Sequence, residues 1–308
     1  MKVDISQRDY FEDLYQQARH AIDRGELKRA LEIYDEALQW AQRWGETDDV
    51  DRATCSRFMV LLHTGQGEMA SRSLRMILMR SSNALNQFVA AYNIAMYYEH
   101  LEDLPKSRFY ADLALHHSDR IEAEDSKADF HKANCYSLLG NLAIRESRFS
   151  EALGHYETAR GLFEEDETYR RLWLQSNMGF CHLARENFSA GFEHLFTVRR
   201  AYIRLKLGPS IATGRLRLAF CFGYLELEKF HQAVLHGKEA IRIGEECGDR
   251  DVVKKALYLL GEAEKLRGDE MKAFTYFANL QEDFYPDNPN LPEILLYNDT
   301  NRLVNVWA

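Results

Sequence analysis

The stretch Ala133–Glu165, ANCYSLLGNLAIRESRFSEALGHYETARGLFEE, decides the reading of the whole chain. Small residues stand at Gly140, Ala143, Ala152 and Ala159, with Tyr136, Leu139, Phe149, Leu153 and Tyr156 between them. At 3.6 residues per turn this spacing predicts two amphipathic helices joined by a polar turn over 146–150. The small residues let the two backbones approach, and the aromatics fill the space beside them. Such a hairpin cannot bury both faces alone, so it requires neighbours of its own kind.

Those neighbours are present. Taking as anchor the small residue that opens each second helix, Ala152 is preceded by Ala30, Ala70 and Ser107 and followed by Gly191, Ala233 and Ala273. The intervals are 40, 37, 45, 39, 42 and 40 residues. Four and seven residues after each anchor come Tyr34 and Ala37, Leu74 and Ile77, Ala111 and Ala114, Tyr156 and Ala159, Leu195 and Val198, Gly237 and Ala240, and Phe277 and Leu280. Seven hairpins are thus predicted, over about 8–45, 50–82, 86–120, 127–165, 168–206, 210–247 and 250–284, with Gly25, Gly67 and Gly268 in turns between paired helices. The run FYPDNPNLP at 284–292 holds three of the 5 prolines and cannot continue a helix. The following PEILLYNDTNRLVNVWA predicts a last apolar helix, so 285–308 reads as a cap over the terminal hydrophobic face.

Tyr136, Leu139, Gly140, Ala152, Tyr156 and Ala159 resemble the tetratricopeptide repeat pattern at each of its small and aromatic places. The second unit departs from it, with Phe58 at the family's glycine. The resemblance implies an all-α fold: one right-handed α-solenoid of helical hairpins, capped at its C-terminal end by a helix. In it, first helices line a concave groove and second helices face outward.

Composition limits the function classes. Lys plus Arg is 39 against 48 acids, a net charge of −9, which disfavours nonspecific binding to nucleic acid or anionic membrane. No apolar window approaches the length of a membrane-spanning helix, and MKVDISQRDYFEDLY has no secretory apolar core. The 5 cysteines are odd in number and never in CxxC spacing, so they read as small core residues in a reducing, cytoplasmic setting. Nucleotide-binding fingerprints, a GxSxG elbow and HExxH are all missing from the sequence. The 11 histidines are scattered, with no cysteine or carboxylate at ligand spacing. No metal, cofactor or catalytic residue is expected, and the chain reads as a non-enzyme. Polar joints at 46–51, 119–129, 164–168, 206–210 and 245–251 read as solvated loop charge, with a basic partner as the other account. Arg72, Arg75 and Arg80, and Arg199, Arg200, Arg204 and Lys206, read as solvated faces of second helices; their other reading is contact with phosphates or an acidic protein.

The family geometry then nominates the inward-facing residues of the first helices. They are Tyr92, Asn93 and Met96 in the third unit, and Asn134, Ser137, Asn141 and Arg145 in the fourth. Trp173, Asn177 and Phe180 follow in the fifth, Arg215 and Phe222 in the sixth, and Lys255 and Tyr258 in the seventh. Asparagine carries both donor and acceptor and can pair with an extended peptide backbone of any sequence. Arg145, Arg215 and Lys255 can hold acidic side chains or a terminal carboxylate. The same residues also fit a structural role, with asparagines tying adjacent hairpins and aromatics packing between repeats. The family's carboxylate clamp is not matched, because Asn93, Asn141 and Asn177 come without its lysines.

The expected function is a non-catalytic scaffold binding an extended peptide or a partner helix in the groove. One alternative is a regulatory receptor, as in bacterial quorum-sensing regulators with similar repeats. Because the first repeat starts within the first ten or so residues, its effector domain would lie in another chain. A less favoured alternative is an enzyme or its sensory region. Self-association is open through the Trp307 end or the divergent second unit.

Overall fold

The computed structural model describes residues 5–23, 27–63, 67–121, 128–300 and 305–306. Among these residues the regular structure is entirely helical. Gly25 and Trp307 lie outside them. In chain order the helices are α1 (Ile5–Asp23), α2 (Leu27–Trp44), α3 (Thr47–His63), α4 (Gly67–Arg80), α5 (Ala84–His100), α6 (Leu104–Ser118), α7 (Ala128–Arg145) and α8 (Phe149–Leu162). They continue as α9 (Thr168–Ala184), α10 (Phe188–Arg204), α11 (Ile211–Glu226), α12 (Phe230–Cys247), α13 (Arg250–Arg267), α14 (Glu270–Phe284) and the short α15 (Leu291–Tyr297). The chain divides into two compact units, 1–142 and 143–308.

Packing follows the anchor positions. Each anchor and its partners four and seven residues on are buried, except Ala70, which is half-buried. Ser107, the one anchor with a hydroxyl, is fully buried and donates from Oγ to the Ala95 carbonyl at 2.8 Å. In the fifth, sixth and seventh hairpins the residue twelve before the anchor lies against the residue four after it, and the two share one volume. A Cβ on Gly261 would sit 2.2 Å from the Phe277 ring, and one on Gly179 would sit 2.8 Å from Leu195. In the sixth hairpin the sizes are exchanged, with Cys221 facing Gly237. Phe58, the departure from the family glycine, is buried with Leu74 in the core of unit 1.

The tight turns carry the same period. Glu102, Ser147, Glu186, Glu228 and Gly268 all have left-handed backbone, each five residues before an anchor. Such a residue lets the chain reverse between paired helices, and four of the five are not glycine, so the turn itself imposes the conformation. Gly67 differs from expectation: it opens α4, and a Cβ there would meet the Tyr97 ring at 2.8 Å. Second helices and joints are capped by local acceptors. Asp103 accepts from the Lys106 amide, Asp249 from those of Asp251 and Val252, and Asp269 from that of Lys272. Ser210 and Thr213 form a reciprocal capping box at the start of α11.

Two expectations are corrected. The joint 46–51 is not solvated loop charge, because α3 begins at Thr47 and carries two buried acids. Asp49 pairs with Arg8 at 2.7 Å and Asp51 with Arg80 at 2.5 Å. The expected helix after the prolines ends at Tyr297; Asn298–Thr300 leave it, and Val306 is buried in the core of unit 2.

In unit 2 the first helices α9, α11 and α13 pack on one another, whereas α10, α12 and α14 make no comparable mutual contact. That asymmetry curves the unit with its first helices inside. In unit 1 the first helices α3 and α5 pack in the same way.

Candidate functional site

The repeat register separates buried from half-buried positions within the nominated residues. Asn93 and Asn177 stand fourteen residues before their anchors, a place taken by Leu138, Ala219 and Leu259 in the fourth, sixth and seventh hairpins and by Gln16 and Ser56 in the first and second. The two asparagines and the three apolar residues are buried, whereas Gln16 is exposed and Ser56 half-buried. The Asn93 amide donates to the Cys55 carbonyl at 2.8 Å, and the Asn177 amide to the Tyr156 hydroxyl at 3.3 Å. Each ties its hairpin to the one before, which is the structural role. Phe180 is also core, packed between Phe149 and Phe222 with ring centroids 6.0 and 5.1 Å away.

The residues eighteen before the anchors behave differently. Val89 and Asn134 in unit 1, and Trp173, Arg215 and Lys255 in unit 2, are all half-buried on successive first helices. In unit 2 they form a ladder. The Arg215 guanidinium lies over the Trp173 indole, 4.9 Å from the ring centre, a cation–π contact that fixes the arginine without satisfying its donors. Its Nε is buried with no hydrogen-bond partner. Lys255 places Nζ 3.0 Å from Asp251 Oδ2, and burial lowers its pKa against the pull of that carboxylate. Two cations beside one acid leave positive charge on the inner face of a chain whose net charge is −9.

The remaining nominees are dispersed. Tyr92 stacks on Phe88 at 5.9 Å, and Met96 packs against the cores of its own and neighbouring hairpins. Asn134 donates to the Phe130 carbonyl and Ser137 to that of Ala133, both within α7. Asn141 and Arg145 are half-buried. Phe222 packs against the core of unit 2, and Tyr258 is buried beside Phe277.

The sequence reading missed a polar cluster at the last turns of α13. Glu262 is fully buried; its Oε1 accepts from Lys265 Nζ at 3.0 Å and from Thr300 Oγ1 at 3.1 Å. Burial raises its pKa, with Lys265 and Thr300 opposing. Lys265 also donates to the carbonyls of Leu295 and Asn298, each at 2.9 Å. Farther out, the Asn305 amide donates to the Ile144 carbonyl at 2.7 Å, the Arg145 carbonyl at 3.3 Å and Ser147 Oγ at 3.0 Å.

Among the described residues, no group of three or more His, Cys, Asp or Glu side chains converges on a metal position. His182 and His194 stack with ring centres 5.4 Å apart. His236 is buried against Phe220 and takes a hydrogen bond from Arg217 at 3.2 Å. Burial, then the neighbouring Arg217, pulls its pKa down to about 4. Cys55, Cys135, Cys181 and Cys221 are buried, and all five cysteines are free. Burial pushes the Cys55, Cys181 and Cys221 thiols up to about 12. No helix among the described residues is long and apolar enough to cross a membrane. Of the basic second-helix residues, Arg80 is committed to Asp51, and Arg75 reaches Ser71 and Tyr98.

No family model matches the chain, and no curated protein matches it. Solved structures do. A Rap protein complexed with Competence and Sporulation Factor has TM-score 0.69 at 14% identity, over 96% of this chain and 79% of that one. The Cut9 and Hcn1 hetero-tetramer of the APC/C gives 0.64 at 14% identity, over 92% of this chain but only 48% of the other. A tetratricopeptide repeat protein from Parabacteroides merdae gives 0.55 at 14% identity, over 93% and 97%. At such identities the likeness is one of fold, and the fold is the all-α helical-repeat architecture of tetratricopeptide-type proteins.

Proposed function

We propose that the chain is a non-catalytic protein-interaction scaffold, and that the inner face of unit 2 binds an extended peptide or a partner helix through an acidic group. The observation that carries this reading is the Trp173–Arg215–Lys255 ladder, above all the buried, unpartnered Nε of Arg215 on a guanidinium held by an indole. A buried donor without an acceptor is costly, and a ligand carboxylate placed there removes the cost while gaining a charge-assisted contact. Asn93 and Asn177, spent within the fold, drop out of the binding set; Trp173, Arg215 and Lys255 remain at its centre. The likeness to a Rap protein in complex with Competence and Sporulation Factor supports a second reading, a sensory receptor for a peptide. Both readings use the same face.

Selection from a display library of random and acid-enriched dodecamers against the full chain tests the proposal. Acidic peptides enriched by the wild type and lost on Arg215→Ala support it. Peptides that bind both proteins equally, or a selection with no acidic preference, overturn it.

A further inference from the structure

On α9 and α11 every large apolar side chain is buried or half-buried except two: Tyr169 is 62% and Ile211 50% exposed. Both stand twenty-two residues before their anchors, one helical turn ahead of Trp173 and Arg215. Residues four apart share a helix face, so each exposed side chain lies beside the ladder residue of its own helix. Because α9 packs on α11, the two pairs are neighbours, and Tyr169 with Ile211 makes an apolar edge along the ladder.

At the same register α13 carries an acid, Asp251. Its carboxylate holds Lys255 at 3.0 Å and Lys254 at 3.7 Å. Arg215 stands near enough to act electrostatically on both Asp251 and Lys255. The face is therefore polarised, with an apolar edge on α9 and α11, an acid on α13 and the Arg215 guanidinium between them. Asp251 already neutralises one cation, and the buried, unpartnered donor is Arg215 Nε. A ligand needs a single acid there, since a second one on the α13 side would meet Asp251.

Spacing decides which part of the ligand meets the apolar edge. Along α11 one turn, about 5–6 Å, separates Ile211 from Arg215. In an extended peptide, side chains on one side recur every second residue, about 6.6–6.8 Å apart. An acid on Arg215 thus brings the side chain two residues away over Ile211 and Tyr169, while its immediate neighbours point elsewhere. A slim extended chain also reaches the buried Nε more readily than a helix about 10–12 Å across.

Resting on the ladder reading of unit 2, we infer that the occupant is an extended peptide with a single acidic residue and, two places from it, an aliphatic or aromatic one. The acid lies on Arg215 and the apolar side chain between Tyr169 and Ile211. The acid holds the peptide; the apolar residue selects among acidic sequences. Covering a leucine-sized side chain there is worth about tenfold in affinity.

The test screens the full chain against displayed nonapeptides with aspartate fixed at the fifth place and the other eight random. Leu, Ile, Phe and Tyr are expected to be enriched at the third or the seventh place, whichever the direction of the peptide demands, and not at the fourth or sixth. The most enriched peptide, labelled with fluorescein and read by anisotropy, should bind the Tyr169→Ser, Ile211→Ser double variant about tenfold more weakly than the wild type, and Ile211→Leu as tightly as the wild type. Should the double variant fail to fold, Ile211→Ser alone, at an exposed site, gives the same comparison. No apolar preference, a preference next to the acid, one spaced three or four places from it as a helix requires, or unchanged affinity in the serine variant overturns the inference. The ladder reading survives each of these so long as the unrestricted selection yields acidic peptides that Arg215→Ala loses. Where neither selection yields an acid-dependent peptide, both fall.

Discussion

Replacing Gly261 with alanine puts the repeat register under direct strain. The added methyl would lie 2.2, 2.5 and 2.6 Å from three atoms of the Phe277 ring, against an ordinary carbon–carbon contact of ~3.5–4.0 Å. Phe277 is fully buried in the core of unit 2, so its ring has no space to swing into. Overpacking of this kind costs about 1–3 kcal/mol, and a three-atom collision belongs at the upper end. Against it stands the gain of alanine over glycine inside a helix, about 1 kcal/mol. The clash wins, and the net loss is about 2 kcal/mol, read in urea unfolding by circular dichroism as a lowered midpoint at constant slope. In a Phe277→Ala background the sign reverses: the ring is gone, the helix term remains, and Gly261→Ala stabilises by about 1 kcal/mol. A neutral Gly261→Ala in the wild type, or the same loss in both backgrounds, refutes the shared-volume account.

Other consequences are equally specific. His236 is neutral in the fold, with its pKa near 4 against an ordinary value near 6.5; stability is therefore intact above pH 6.5 and falls as pH drops toward 4, by up to about 1.4 kcal/mol per pH unit, and a pH series of urea melts should show that slope reduced in His236→Gln. Arg80→Ala strips the fully buried Asp51 of its cation and should cost about 2 kcal/mol, reduced from the value for a wholly buried pair because Arg80 is half exposed; adding Asp51→Asn should recover part of it in the same melts. Thiol labelling of the folded chain should modify Cys247 first, the other four reacting only once denaturant is added.

The fold was legible because one signal, the small-residue anchor, recurs at near-constant interval, and each anchor is a packing requirement. The turn conformation was less legible: left-handed Glu102, Ser147, Glu186 and Glu228 carry no glycine to announce them. The candidate site was half legible. Asn93 and Asn177 look like ligand contacts in the sequence, because the same register holds polar Gln16 and Ser56 as well as apolar Leu138, Ala219 and Leu259. Their burial and the partners they satisfy, Cys55 and Tyr156, need coordinates. Asp49 and Asp51 misled because a cluster of acids before an apolar run reads as a joint, and the arginines that neutralise them lie on other helices, 41 and 29 residues away. The contacts of Asn298–Thr300 and Asn305–Val306 were illegible, since NDTNRLVNVW continues an apolar pattern and their bonds to α7 and α13 are non-local.

The central claim is that one register of the first helices builds the fold while another binds. A peptide obtained by selection on the wild type, titrated calorimetrically against Arg215→Ala and Asn177→Ala beside urea melts of both, tests it most directly. Loss of a charge-assisted contact predicts affinity falling ~10–100-fold for Arg215→Ala with the melt nearly unmoved. Asn177→Ala should lose about 1–2 kcal/mol of stability with affinity unchanged. Affinity lost in Asn177→Ala and kept in Arg215→Ala would contradict the account.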